Sequence, residues 1–171
     1  QESVEKLNDL ILTNLTTEAA AKSDQTDEIK IFETLIEKTE FSEIPEVLIH
    51  AEKEKMFHEL KRDIEKMNIT IEQYLNDIKK KEAELMAEFT AQAQKRAKAA
   101  LLSRQIAKNE NITISEQEID EEITAIKIAY KNDKTAIDNL QRREVRHSLS
   151  ILLQNKKVAA WLKTKILEEK N

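Results

Sequence analysis

Three histidines and a dense set of carboxylates are the residue types here that could do chemistry. His50, Glu54 and His58 stand at i, i+4 and i+8, so on a helix all three face one way, as zinc ligands sometimes do. Beyond the two histidines no third strong ligand is in view, and no second shell is suggested to orient the imidazoles, so the three read as a solvated face beside Ile49 and Met56. Glu144 and His147 form one Glu-x-x-His step, whereas di-iron bundles need two such steps and further glutamates. Glu116, Glu118, Asp120, Glu121 and Glu122 cluster at a predicted helix start, where the helix dipole favours negative charge. Lys79 to Lys81 and Arg142-Arg143 are short basic runs, which touch phosphate in some proteins. Acidic neighbours surround them, so they too read as solvated faces. No cysteine is present and no Ser-His-Asp arrangement can be proposed. The sequence therefore predicts no catalytic residue, no cofactor and no metal.

Composition points the same way. Among 171 residues there is no glycine and one proline, while 36% are charged and 4% aromatic. Tight hairpins, phosphate-cradling loops and dinucleotide folds lean on glycine at positive φ, so P-loop, Rossmann and most β architectures are excluded. The mix of Ala, Glu, Lys, Leu and Ile favours long helices. A net charge of −5 is a poor match to a nucleic-acid surface. No apolar run reaches membrane-spanning length and no signal peptide is visible. Lack of cysteine fits a reducing compartment. A chain starting at Gln1 reads as a piece of a longer protein or a processed one.

The elements follow from apolar spacing and helix-end signals. A leading helix is predicted from Ser3 to about Glu40, on the order of 54 Å long at 1.5 Å per residue. Val4, Leu7, Ile11 and Leu15 share a face, to which Ile29, Phe32 and Ile36 return. Ala19 to Glu28 has only alanine as apolar content, so it either lacks a packing partner or breaks near Ser23 to Thr26. Phe41 to Pro45 is a joint, followed by a helix to Met67 with Ile49, Met56, Phe57, Leu60, Ile64 and Met67 on its stripe. Asn68 is suited to the left-handed helix end. Thr70 with Gln73 has capping-box spacing and Ile69 with Tyr74 staple spacing, starting a short helix from Ile71 to Asp77. One long helix is predicted from Lys80 to Asn109, with two apolar sides rich in alanine. The corner at its end repeats the signals: Ser115 with Glu118, and Ile114 with Ile119. Ile119, Ile123, Ile126 and Tyr130 form the next stripe, ending at Asn132. The last helical region holds Ile137, Leu140, Val145, Leu149 and Leu152 and continues through Val158, Trp161, Leu162 and Ile166, with a kink expected near Asn155.

Met56, Phe57, Met67, Tyr74, Met86 and Phe89 fall in the middle helices. They are either ordinary core or a permissive apolar surface on which soft methionines adapt to varied partners. Long helices separated by corners cannot all bury their stripes in one core, which favours the second role.

Three stretches in order, SVEKLNDLILTNL, FSEIPEVLIHAEKEKMFHEL and AKNENITISEQEIDEEI, resemble the C-terminal domain of trigger factor, the ribosome-associated bacterial folding chaperone. ITIEQYL resembles the family's short helix after the first arm. The resemblance covers nearly the whole chain as a single domain, residues 1–171. It implies an all-α, elongated domain with a long leading helix and two helical arms forming a cradle. The segment from about Glu82 to Ile128 would supply most of one arm, and Thr135 to Trp161 most of the other. The implied function is ATP-independent binding of unfolded or nascent polypeptides in the cytoplasm, assisting folding and export, with self-association through the cradle as a further possibility. The ribosome-binding and prolyl isomerase domains would belong to the parent, so this stretch itself is not expected to be an enzyme, and neither nucleic acid nor membrane is an expected partner. The corner AKNENITISEQEID is also similar to the helical domain of SurA-type periplasmic chaperones. A structural scaffold whose stripes pair permanently with a partner helix is the rival from another class, though Lys53, Asp63 and the Ala19–Glu28 stretch interrupt any long heptad pattern.

Overall fold

The computed structural model describes residues 2–130, 134–140 and 142–168. Among these it is all-α, with eight helices in the order α1 (Glu2–Lys38), α2 (Glu46–Lys66), α3 (Ile71–Asp77), α4 (Glu82–Glu88), α5 (Thr90–Asn109), α6 (Glu116–Ala129), α7 (Lys134–Asn139) and α8 (Arg143–Glu168). The chain divides into two compact units, residues 36–104 on the one hand and residues 1–35 with 105–171 on the other.

In the unit of residues 36–104, Pro45 caps α2 with an extended backbone, as a proline before a helix should. Ile49 and Met56, seven apart, pack against Ala93 of α5, with Ile44 and Phe89 at the edge. Ala93 and Ala97 are buried one turn apart, and such small residues let two helices approach closely. The Arg96 guanidinium bonds the Glu59 carboxylate at 2.8 Å beside that contact. The helix expected from Lys80 to Asn109 is interrupted: α4 starts where the Lys81 N–H donates to the Glu84 carboxylate at 2.7 Å, and it ends at Phe89. The Thr90 hydroxyl donates to the Ala87 carbonyl there.

In the other unit, α6 lies on α8. Ile119, Ile123, Leu140 and Leu149 form its centre, with Ile114, Ile126, Val145 and Leu153 around them. Ile114 and Ile119 thus meet in one cluster, as their staple spacing predicts. A second cluster joins Ala107, Val158 and Leu162 to Ile31, Phe32, Leu35, Ile112 and Trp161. Of the two alternatives for α1, the continuous one holds: it runs unbroken through Ser23 to Thr26. It departs from expectation in its packing face, which carries Ile31 and Leu35 beside Phe32, while Ile29 is exposed. Periodicity alone marks a stripe without saying which stripe is covered. The expected last region is divided: Ile137 lies in α7 and Leu140 just beyond its end, while α8 continues as one helix through Asn155. Asn132, expected to end α6, lies outside the described residues; α6 is capped at Tyr130.

The corners have a common construction. Helices α2, α3 and α5 each end with a residue at positive φ: Asn68 at 58°, Lys79 at 54° and Asn111 at 54°. In each case the next residue's N–H reaches a carbonyl five positions back: Ile69 to Ile64, Lys80 to Leu75, Ile112 to Ala107. That is the Schellman closure, built without glycine. The next helices start with capping boxes at Thr70–Gln73 and Ser115–Glu118.

Candidate polypeptide-binding surfaces

The histidines lie on exposed faces, and the basic run serves helix ends. His50 and Glu54 approach to 3.7 Å on an exposed face, and no group of three His, Cys, Asp or Glu among the described residues could hold a metal ion. Glu144 and His147 are exposed, and the Glu144 carbonyl accepts the Ser148 hydroxyl. Of the basic run, Lys79 supplies a left-handed helix end, Lys80 pairs with Glu88, and Lys81 starts α4.

The carboxylate cluster has a role that spacing could not reveal. Arg146 of α8 bonds both Glu116 and Asp120, Lys157 pairs with Glu118 at 2.6 Å, and Lys156 lies 3.6 Å from Glu122. Lys157 holds the Glu118 carboxyl down at about 2, helped by the Ser115 N–H that the same carboxylate accepts in the capping box. The two carboxylates in turn raise the Arg146 guanidinium further. Gln154 and Lys157 also donate to the carbonyls of Ile112 and Thr113, which leaves the corner's backbone satisfied. These contacts join residues 26 to 44 positions apart, so no local pattern announces them.

The predicted apolar surface separates into two classes. Met56 and Phe57 are buried and belong to the core, which corrects the expectation that they face a partner. Met56 sits seven residues after Ile49 on the face that meets Ala93, so it is covered by α5. Met67 is 68% exposed at the end of α2. Tyr74, Met86 and Phe89 are half-buried, and Phe89 also packs on the Ile49–Met56–Ala93 cluster. Sequence reasoning did not single out Val47 and Leu48, exposed where α2 begins. They adjoin an open cleft of about 320 Å³ at the joint, with Phe41, Ile44 and Ile49 among its walls. There the Lys98 ammonium lies 5.3 Å from the Phe41 ring centre, a cation–π contact. In the other unit Ile11, Leu12, Leu15, Ile29, Ile128, Tyr130, Ile151 and Leu152 are exposed. No helix among the described residues is long and apolar enough to cross a membrane.

Comparison with known proteins gives the chain a family. The sequence family described as the bacterial trigger factor protein C-terminus matches residues 3–164. The chain is 28% identical over 164 residues to the trigger factor of Onion yellows phytoplasma (strain OY-M), covering 92% of this chain and 38% of that protein. It is 29% identical over 167 residues to that of Geobacillus sp. (strain WCH70), covering 93% and 39% respectively. With that of Bacillus subtilis (strain 168) it shares 28% over 165 residues, covering 91% and 39%. The chain thus spans about two fifths of the length of these relatives. No solved structure matches it. An all-α chain of capped corners, matched by this family along nearly its whole length, belongs to the bacterial trigger factor C-terminal family.

Proposed function

We propose that this chain is an ATP-independent chaperone domain that holds unfolded or nascent polypeptides. The observation that carries the reading is the number of large aliphatic side chains left in water in both units, on helices whose opposite faces are already packed. Burying roughly 100 Å² of such surface against a client contributes about 2.5 kcal/mol before ordering costs, so each contact is weak and reversible. The client surface includes Met67, Tyr74, Met86 and Phe89. Methionine suits varied clients because its unbranched thioether adapts its shape. Interspersed Lys and Glu keep the free domain soluble. Ribosome attachment, prolyl isomerisation, assistance in export and cell division, and a cytoplasmic setting belong to this proposal as roles of a longer parent.

The test is aggregation of a chemically denatured protein diluted into buffer without nucleotide. The chain should slow light scattering in proportion to its concentration, and Met67→Ser should weaken that effect while leaving the melting temperature unchanged. A folded chain that leaves scattering unaltered at several-fold excess refutes the proposal.

A further inference from the structure

The chain has no cysteine and three methionines, Met56, Met67 and Met86, all in the unit of residues 36–104. With no thiol to compete, a two-electron oxidant meets thioether sulfur first. The three sulfurs differ in access. Met56 is 6% exposed and packs with Ile49 against Ala93. Met86, on α4, is half-buried. Met67 is 68% exposed and stands outside the three apolar clusters.

The backbone at Met67 is fixed without help from its side chain. The Met67 N–H donates to the Ile64 carbonyl at 2.9 Å, and the Asn68 and Ile69 N–H groups donate to the carbonyls of Glu65 and Ile64 at 3.0 and 3.3 Å. Asn68, at φ 58°, then turns the chain. Residues 68–72 line an open cleft of about 400 Å³, with Ile69 and Ile71 in its wall. Met67 thus ends α2 immediately before that cleft in the chain, with its apolar side chain in water.

We propose that Met67 is an oxidation site that switches the client surface off and leaves the fold intact. This regulation rests on the chaperone reading, since what it switches is client capture. In the step, the thioether sulfur attacks one oxygen of a peroxide. A sulfur–oxygen bond forms and the O–O bond breaks. The departing hydroxide takes the proton of the new S–OH group and leaves as water. Sulfur loses two electrons and the peroxide gains two.

The product sulfoxide is a polar hydrogen-bond acceptor. In the free chain water satisfies it, because the side chain is exposed, so folding is unaffected. Under an apolar client it loses that water with nothing to replace it, which weakens capture. The same change at Met56 would set the oxygen against Ala93 and destabilise the unit. Burial keeps peroxide from that sulfur until the helices open. Rising oxidant therefore removes client capture before it removes the fold. A methionine sulfoxide reductase with a thiol reductant reverses the first of these changes.

The test treats the full chain with graded hydrogen peroxide and removes the excess with catalase. Peptide mass mapping then follows each methionine, light scattering of a denatured protein follows capture, and circular dichroism follows melting. Met67 should gain one oxygen before Met86, and Met56 last. At the dose that oxidises Met67, the chain concentration needed for half suppression should rise severalfold with the melting temperature unchanged, and reductase treatment should restore it. Met67→Leu, apolar but without sulfur, should suppress scattering alike before and after that dose. An untreated chain that leaves scattering unaltered refutes the chaperone reading, and this regulation with it. If the untreated chain suppresses scattering and the Met67 sulfoxide form suppresses it equally, the chaperone reading stands and the switch is refuted. Loss of suppression in peroxide-treated Met67→Leu places the sensitive group elsewhere and overturns the site. Oxidation of Met56 together with Met67, or a fall in melting temperature at the same dose, makes the effect one of unfolding and overturns the switch as well.

Discussion

Replacing Ile123 by Ala tests whether α6 is held by its apolar face on α8. Ile123 is 3% exposed, between Ile119, Leu140 and Leu149. The substitution removes three carbon groups, about 0.8 kcal/mol each, or about 2.4 kcal/mol of transfer free energy. Incomplete collapse of the vacated space adds to that and puts the cost at about 2–5 kcal/mol. Ile128, on the same helix but 70% exposed, is the matched control, and Ile128→Ala should cost less than about 0.5 kcal/mol. The assay is urea unfolding followed by Trp161, the chain's single tryptophan, which packs in the Val158 cluster of the same unit. With a slope of roughly 2 kcal/mol per M, the Ile123 variant should shift the midpoint down by about 1–2.5 M and the control by a few tenths at most. Equal shifts for the two variants would refute the docking of α6 through this face.

Four further outcomes follow from the same contacts. Glu118 has its carboxyl lowered from 4.5 to about 2, so its contribution is full above pH 4.5 and is lost as pH falls toward 2; Lys157→Met should flatten that part of the melting-temperature profile. Lys79→Gly should stabilise the chain by about 1 kcal/mol in chemical denaturation, because lysine pays a left-handed penalty at φ 54° that glycine does not, and Lys79→Val should destabilise it. Ser115→Ala, which removes the acceptor for the Glu118 N–H, should cost about 1 kcal/mol by the same measurement. Met56→Ser should lower the melting temperature sharply where Met67→Ser does not, since only the first side chain is buried against Ala93.

Helix ends were the most legible part of the fold because their signals are local. Thr70 with Gln73 and Ser115 with Glu118 lie three residues apart, and their hydrogen bonds form as spaced. Asn68 reads as a helix end for the same reason, whereas Lys79 has a side chain that says nothing about left-handed backbone. The break at Phe89 involves neither proline nor glycine, so the sequence reads as one helix. Burial was less legible than helicity. Met56 and Met67 belong to one predicted stripe, yet the first is buried against Ala93 of α5 and the second is exposed. Similarly, the acidic start of α6 is intelligible from the helix dipole, but Arg146 and Lys157 come from a helix far along the chain. Nothing local encodes that pairing.

The absence of glycine bears on how the exposed side chains can act. A glycine at a helix end permits many backbone directions, while an asparagine or lysine held at φ near 55° by two closing hydrogen bonds permits few. At the turns after Asn68 and Asn111 the next helix then begins with a capping box, so the backbone is fixed on both sides of the change of direction. At the second of these turns Gln154 and Lys157 also clamp the connecting carbonyls. The apolar groups beside these turns, Met67 after α2 and Ile112 after α5, therefore have different fates for a structural reason. Ile112 is drawn into the Val158 cluster by the same clamp, while Met67 projects from a corner that nothing in its own unit covers. If the proposed function holds, a surface held out by a fixed backbone loses little entropy when a client covers it, so weak apolar contacts would suffice to capture one and weak contacts would let it go.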